Sequence, residues 1–220
     1  MYVTLALVVA ADLYSLLTGI RLYGIWADVA QAGWDDASAR RYSGLESHYT
    51  WSGTLQVNTL LACGVVFIVW FHRVRRNAGL LAPDAHSKTS GWAIWGWIVP
   101  VVCWWFPRRI ALDSWRASTP YTDEGRQQPG SGIVNVWWAA WLGSQLVDQV
   151  AIRTYERAQE PDAIREALRM LNGSDIVDII AAVFAVVVVH RLTTVQQHAM
   201  RNWPAPPAAV PAAAVGASDQ

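Results

Sequence analysis

Four apolar stretches, residues 4–26, 54–71, 133–152 and 175–189, alternate with polar stretches along this chain. A helix needs roughly 20 mostly apolar residues to cross a hydrocarbon layer of about 30 Å. Each stretch meets or approaches that length, so the pattern predicts four transmembrane helices. The second ends in WFHRVRR and the fourth in VVVVHRL, so both run into basic residues at the C-terminal end. The first has no positive residue ahead of its apolar core and continues past Ala10 and Ala11. It reads as a retained helix, not a cleaved leader.

A fifth stretch, residues 91–107 (GWAIWGWIVPVVCWWFP), has a different character. It carries Trp92, Trp95, Trp97, Trp104 and Trp105, is interrupted by Pro100, and stops at Arg108 and Arg109. Tryptophan favours the membrane–water boundary, where its ring is apolar and its N–H stays wet. As a straight helix this stretch reaches only about 25 Å, which predicts either a re-entrant hairpin or a short fifth membrane helix. Charge placement separates the two. With a cytoplasmic N-terminus and a re-entrant stretch, ten Lys and Arg lie inside, among them Arg73, Arg75, Arg76 and Lys88, and six lie outside. If the stretch spans, the count is eight on each side. The positive-inside rule therefore favours four spans with a re-entrant element.

The connecting stretches carry their own periodicities. After Pro107, residues Ile110, Ala111, Ser114, Trp115 and Ser118 share one helical face, and Arg109, Asp113 and Arg116 lie on another. That predicts an amphipathic helix lying at the membrane interface, or an extension of a spanning third helix. Residues 28–53 are polar and read as an external loop. In PDAIREALRMLNGSD, Pro161 suits a first helical position, Ile164, Ala167, Leu168 and Leu171 form a stripe, and Asn172-Gly173 is a stop signal. A short amphipathic helix follows from that. The expected fold class is an all-α integral membrane protein. It has four transmembrane helices, a Trp-rich re-entrant or short fifth membrane helix, and amphipathic interfacial helices. One helical domain covers residues 1–200, and the Pro/Ala-rich residues 201–220 are expected to be disordered.

Composition supports the membrane reading and narrows the chemistry. Just over half the residues are hydrophobic and the formal net charge is zero, so no basic field recommends a nucleic-acid partner. Cys63 and Cys103 both sit in apolar stretches, without CxxC spacing, so neither zinc nor covalent haem is expected. No GxSxG, P-loop, HExxH or dinucleotide fingerprint occurs, so we expect no enzymatic activity and no cofactor. His72 and His190 end the second and fourth stretches, and each is followed by arginine, as polar residues that terminate a span are.

Ionisable residues inside membrane spans are costly and therefore candidates for function. Here they are Asp12, Arg21, Asp148 and Asp178, with Asp175 and His190 at the edges. Arg21, Asn58, Asp148 and Asp178, with Gln145 nearby, fall in the outer half of the predicted bundle and form the candidate intramembrane polar cluster. Asp12 and Arg21 are nine positions apart and project from nearly opposite sides of their helix. One reading is a pocket for an ion, a proton or a lipid headgroup. The commoner arrangement is Arg21 paired with Asp148 or Asp178, locking the helices together. A second candidate is a lipid- or partner-binding face formed by Arg73, Arg75, Arg76, Arg108, Arg109 and Trp115. Arginines near an anionic leaflet gain about 1 kcal/mol each, but ordinary positive-inside topology requires the same residues.

The segment VWFHRVRRNAGLLAPDAHSKTSGWAIWGWIVPVVCWWFPRRIALDSWRAS, residues 69–118, resembles the actinobacterial membrane-protein family known as domain of unknown function 4328. The later VNVWWAAWL (134–142) and HRLTTVQ (190–196) are similar to its closing segments. The family motif usually has asparagine where this chain has Cys103. The resemblance implies a multi-pass protein of the cell membrane and brings no reaction, substrate or catalytic residue. The expected function is a non-enzymatic membrane component that binds lipids, a protein partner or its own copies. The alternative is a small oligomeric transporter or ion-conducting protein, with the helix break supplied by Pro100.

Overall fold

The computed structural model describes residues 1–119 and 130–202. Among them every regular element is helical: α1 (Tyr2–Ala32), α2 (Asp36–Leu81), α3 (Trp92–Ile98), α4 (Phe106–Ser118), α5 (Gly132–Arg157) and α6 (Pro161–Arg201). Short 3-10 turns occupy Pro83–Ala85 and Val102–Trp104. Three helices, α1, α2 and α6, are long and apolar enough to cross a membrane. Residues 133–152 lie in α5, whose 26 residues rise about 39 Å, but Asn135, Gln145, Asp148 and Gln149 dilute its apolar content. Of the tail expected to be disordered, residues 201–220, Arg201 is the last residue of α6 and residues 203–220 lie outside the described residues.

Two stretches depart from the sequence expectation, both at the same end of the bundle. Residues 28–53, whose polarity predicts a loop, are helical except for a tight connection at 33–35. Asp35 caps α2: its carboxylate accepts the Ser38 N–H at 2.7 Å, and the Asp35 N–H donates to the Ser38 hydroxyl at 3.2 Å. This reciprocal cap starts the helix early, and Ala, Arg, Leu and Glu then carry it into the apolar run. The Arg41–Asp28 ion pair and the Trp26, Trp34 and Tyr42 rings hold the α1–α2 extension together. Likewise α6 starts at Pro161, as the proline predicts, but runs unbroken through Asn172 and Gly173. The expected stop does not operate because α1 packs there: a Cβ on Gly19 would overlap the Asn172 side chain, so the two helices touch at that glycine.

The helices lie in the order α2, α1, α6, α5, each packed on its neighbour. The backbones of α2 and α5 make no comparable contact, which leaves a gap between them. One end of that gap is closed by the Trp-rich segment, which does not form a straight helix. α3 lasts only seven residues. At Val101 the backbone adopts φ 68°, ψ −52°, and the Val102 N–H donates to the Pro100 carbonyl at 2.8 Å. This is a γ-turn of positive φ, a strained conformation for a β-branched residue. The chain then doubles back into α4, where Gly96 lies against Phe106 and the Trp92 and Phe106 rings meet at 4.9 Å.

α4 lies against α2, α5 and α6 as a floor to the bundle. Its expected apolar face exists, but protein covers it: Ile110, Ala111, Ser114, Trp115 and Ser118 are all buried. Asp113, expected among the polar outward residues, is also buried. It accepts hydrogen bonds from the Ser87 N–H and hydroxyl at 3.2 and 2.6 Å, pinning the α2–α3 loop.

Candidate functional site

The gap between α2 and α5 is a cavity of about 620 Å³. Each of the four long helices presents a stripe of small or polar residues to it at three- and four-residue spacing. Tyr49, Ser52 and Gln56 come from α2, Ser144 and Asp148 from α5, and Ser174, Asp175 and Asp178 from α6. Asp12 and Ser15 of α1 complete that end. The spacing keeps each set on one helical face. Small residues, Ala181, Ala182 and Ala185 among them, leave the volume unfilled. The buried serine hydroxyls of Ser52, Ser144 and Ser174 donate to carbonyls three residues back in their own helices.

Four carboxylates therefore face one space, and a single amide joins two of them. Gln56 Nε2 donates to Asp12 Oδ1 at 3.1 Å and to Asp175 Oδ1 at 2.8 Å. Asp178 sits beside Asp148 and Ser144. Asp12 is only 4% exposed, yet its Oδ2 has no hydrogen-bond partner among the described residues. Leaving a buried acceptor unpaired costs roughly 1–3 kcal/mol, more when it is charged. Among the described residues no Lys, Arg or His lines the cavity. Among the described residues no ion pair includes any of the four aspartates, and no cluster of His, Cys, Asp and Glu has metal-holding geometry.

The opposite end of the cavity is aromatic. Trp97, the inward residue of α3, stands 5.3 Å from the Phe67 ring and 5.6 Å from the Trp141 ring, and so bridges α2 to α5. Its Nε1 is buried without a partner among the described residues, whereas Trp138 Nε1 donates to the Trp104 carbonyl at 3.2 Å.

These positions redraw the cluster expected from the sequence. Asp148 and Asp178 are in it, and Gln145 lines the cavity as well. Arg21 is not: it is exposed and pairs with neither aspartate. The 900° of helical turn from Asp12 to Arg21 puts one inside and the other outside. Asn58 is also exposed, donating to the Thr54 carbonyl at 2.7 Å, and Gln56, two residues earlier, takes the inward place. The signal for Gln56 and Asp175 lay in the spacing of Ser52–Gln56 and of Asp175–Asp178, which places each pair on one face.

The expected arginine face divides too. Arg73, Arg76 and Arg109 are exposed. Arg75 is 8% exposed and donates to the Lys88 carbonyl at 2.7 Å. Burial lowers its pKa, and the Asp113 charge opposes that shift. Arg108 Nε donates to Asn135 Oδ1 at 2.9 Å, and Trp115 is 5% exposed beneath Gly130. Trp115 and Arg75 therefore hold the floor in place and are not presented outward.

With the fold in view, the comparisons identify the family. The sequence model described as Domain of unknown function (DUF4328) matches residues 36–194, well over half of the chain. The chain belongs to this family. No curated protein and no solved structure matches it. The DUF4328 match opens at the first residue of α2 and contains the α3–α4 floor together with Gln56, Asp148, Asp175 and Asp178. Asp12 and Ser15 stand on α1, ahead of it. In this DUF4328 chain His72 and His190 are engaged outside the cavity: His72 Nδ1 lies 3.2 Å from the Ser90 carbonyl, and His190 Nδ1 lies 3.4 Å from the Tyr2 hydroxyl.

Proposed function

We propose that this DUF4328 protein crosses the cell membrane four times and holds a small ligand inside its helix bundle, without covalent chemistry. The fourth crossing is α5, whose outward Val136, Leu146, Val147 and Val150 are large, apolar and exposed. Such a surface is a liability in water and is what lipid requires. α1, α2 and α6 carry the same belt, with Leu7, Leu61 and Val183 as examples. The doubled-back α3–α4 element suits a re-entrant floor, because its broken backbone is covered by protein.

The observation that carries the ligand reading is the cavity itself. Its volume lies within the 300–1,000 Å³ range of small-molecule sites, and its lining is apolar with a few convergent polar groups. This belongs to the transporter class of the two functions expected from the sequence. The test is a thermal-shift screen of purified protein in lipid nanodiscs against small cations, anions and neutral compounds. Gly64 lines the cavity, and a Cβ there meets no atom within 4 Å, so Gly64→Phe fills the space. Compounds that stabilise the native chain but not Gly64→Phe support the reading. A screen in which no compound separates the two proteins removes it.

A second reading, an anionic lipid headgroup at the floor, is favoured by a recess of about 390 Å³ lined by Arg73, Arg75 and Arg76. The exposed Arg73 and Arg76 supply its available charge. If Arg73→Ala/Arg76→Ala co-purifies with the same anionic lipids as the native chain, this reading fails.

A further inference from the structure

We infer that the ligand of the bundle cavity is an organic cation with an apolar body. Its charged head is held among Asp12, Asp148, Asp175 and Asp178, and its body lies along the wall of Phe67, Trp97 and Trp141. The inference rests on reading the cavity as a ligand site and adds the chemical class of what enters it.

Three observations carry it. First, the charge is one-sided: four carboxylates line the space and, among the described residues, no basic side chain does. An anion would be repelled, whereas a cation compensates the acid end directly, where a neutral molecule would leave it to be neutralised by protons. Second, Asp12 is more than nine-tenths buried and its Oδ2 has no partner among the described residues, while Gln56 satisfies only the other oxygen. Asp12 is one of the residues that line the cavity. Third, the two ends of the cavity differ in chemistry and stand apart. Trp141 and Asp148 are seven residues apart on α5, and Gln56 and Phe67 are eleven apart on α2. Those separations correspond to about 10 and 16 Å along the helices. A bare metal ion would leave the aromatic end unused, and the described carboxylates do not converge on metal geometry. An ammonium-type head on an apolar body satisfies both ends: the head meets the carboxylates and the body packs against Phe67, Trp97 and Trp141.

The test uses the full-length protein in nanodiscs of zwitterionic lipid, with empty nanodiscs as the blank. The probes are phenylbutyltrimethylammonium, phenylbutanesulfonate and phenylbutanol, which share one body and differ in charge. Calorimetry and intrinsic tryptophan fluorescence both report binding. We expect the ammonium probe to bind and to shift the tryptophan emission, with the sulfonate not binding. Asp12→Asn and Asp175→Asn should each raise Kd at least about tenfold, and Asp28→Asn, at the exposed ion pair, should leave it unchanged. Gly64→Phe should abolish binding. The charge comparison on the native protein needs no variant, so a misfolded aspartate variant does not spoil the test. If the sulfonate or the alcohol binds as tightly as the ammonium probe and Gly64→Phe abolishes that binding, the cation class is wrong and the cavity reading survives. If the ammonium probe does not bind, or still binds Gly64→Phe with unchanged Kd, the inference is overturned. The cavity reading is then judged by the compound screen alone.

Discussion

At the scale of single residues, two positions show how local chemistry is spent. Val101 holds a positive φ at the γ-turn while its side chain is 64% exposed, so it gains little packing for its strain. Such strain costs about 1–3 kcal/mol, against roughly 0.5–1 kcal/mol for the added freedom of glycine. Val101→Gly should therefore raise the unfolding midpoint, and Val101→Pro, which forces φ near −65°, should lower it sharply. A drop with glycine would contradict the turn geometry. Asp35 acts through its charge. The Ser38 hydroxyl and N–H hold its carboxyl pKa below the ordinary 3.8. A lowered folded-state value means the stabilisation is present above pH 3.8 and is lost as pH falls through the lowered value. Amide hydrogen exchange at residues 36–39 should accelerate in that acid window in the native chain. Asp35→Asn, an equally good cap, should remove the pH dependence without accelerating exchange at neutral pH, and Asp35→Ala should accelerate it there too. The same scale explains why the cluster was half legible. Asp148 and Asp178 stand out as charges inside apolar runs. Gln56 and Asn58 look alike in sequence, and only the facing of α2 decides which of them turns inward.

At the scale of elements, period was legible and partners were not. The stripe at Ile110, Ala111, Ser114, Trp115 and Ser118 is a property of spacing alone. What covers it depends on where α2, α5 and α6 lie. The same holds for Asn172-Gly173, a stop signal in isolation that the α1–α6 contact overrides. This makes a paired prediction. Gly173 is helical with open space at its Cβ, so Gly173→Ala should stabilise by about 0.5–1 kcal/mol. Gly19→Ala drives a methyl into Asn172 and should destabilise by about 1–3 kcal/mol. Asn172→Ala should recover part of that loss in the double variant, the signature of direct contact. Denaturant unfolding in mild detergent measures all three. Additive effects would mean the helices do not meet at Gly19.

At the scale of the whole molecule, the prediction concerns sides. From the ten-to-six charge asymmetry and the doubled-back floor we predict Asp84 and Ser131 in the cytoplasm and Ala37 and Gln159 outside. Single cysteines at these four positions, in a variant lacking Cys63 and Cys103, can be challenged with an impermeant thiol reagent on intact cells. Ala37 and Gln159 are exposed ends of helical extensions, unlike the buried Ser38, so their labelling reports sidedness and not burial. We expect labelling at those two alone. Labelling at Ser131 but not at Asp84 would make the Trp-rich segment a span and move α4 to the other side of the membrane.

The sequence by itself determined the helical class, the long apolar helices, the break in the tryptophan-rich segment and the family. Each depends on local content: hydropathy over about 20 residues, proline at Pro100, and the ordered motifs of residues 69–196. It also required Asp12 and Arg21 to part company, because helical turn is a local rule. It did not determine which residues share a space. Asp12, Gln56, Asp148 and Asp178 are separated by 44, 92 and 30 positions along the chain. They meet because α2 and α5 stand apart while α1 and α6 close the other side, and because Trp97 bridges the gap from an element too short to carry its own signal. A cavity is space that long-range packing leaves unfilled, and no periodicity along one chain records it.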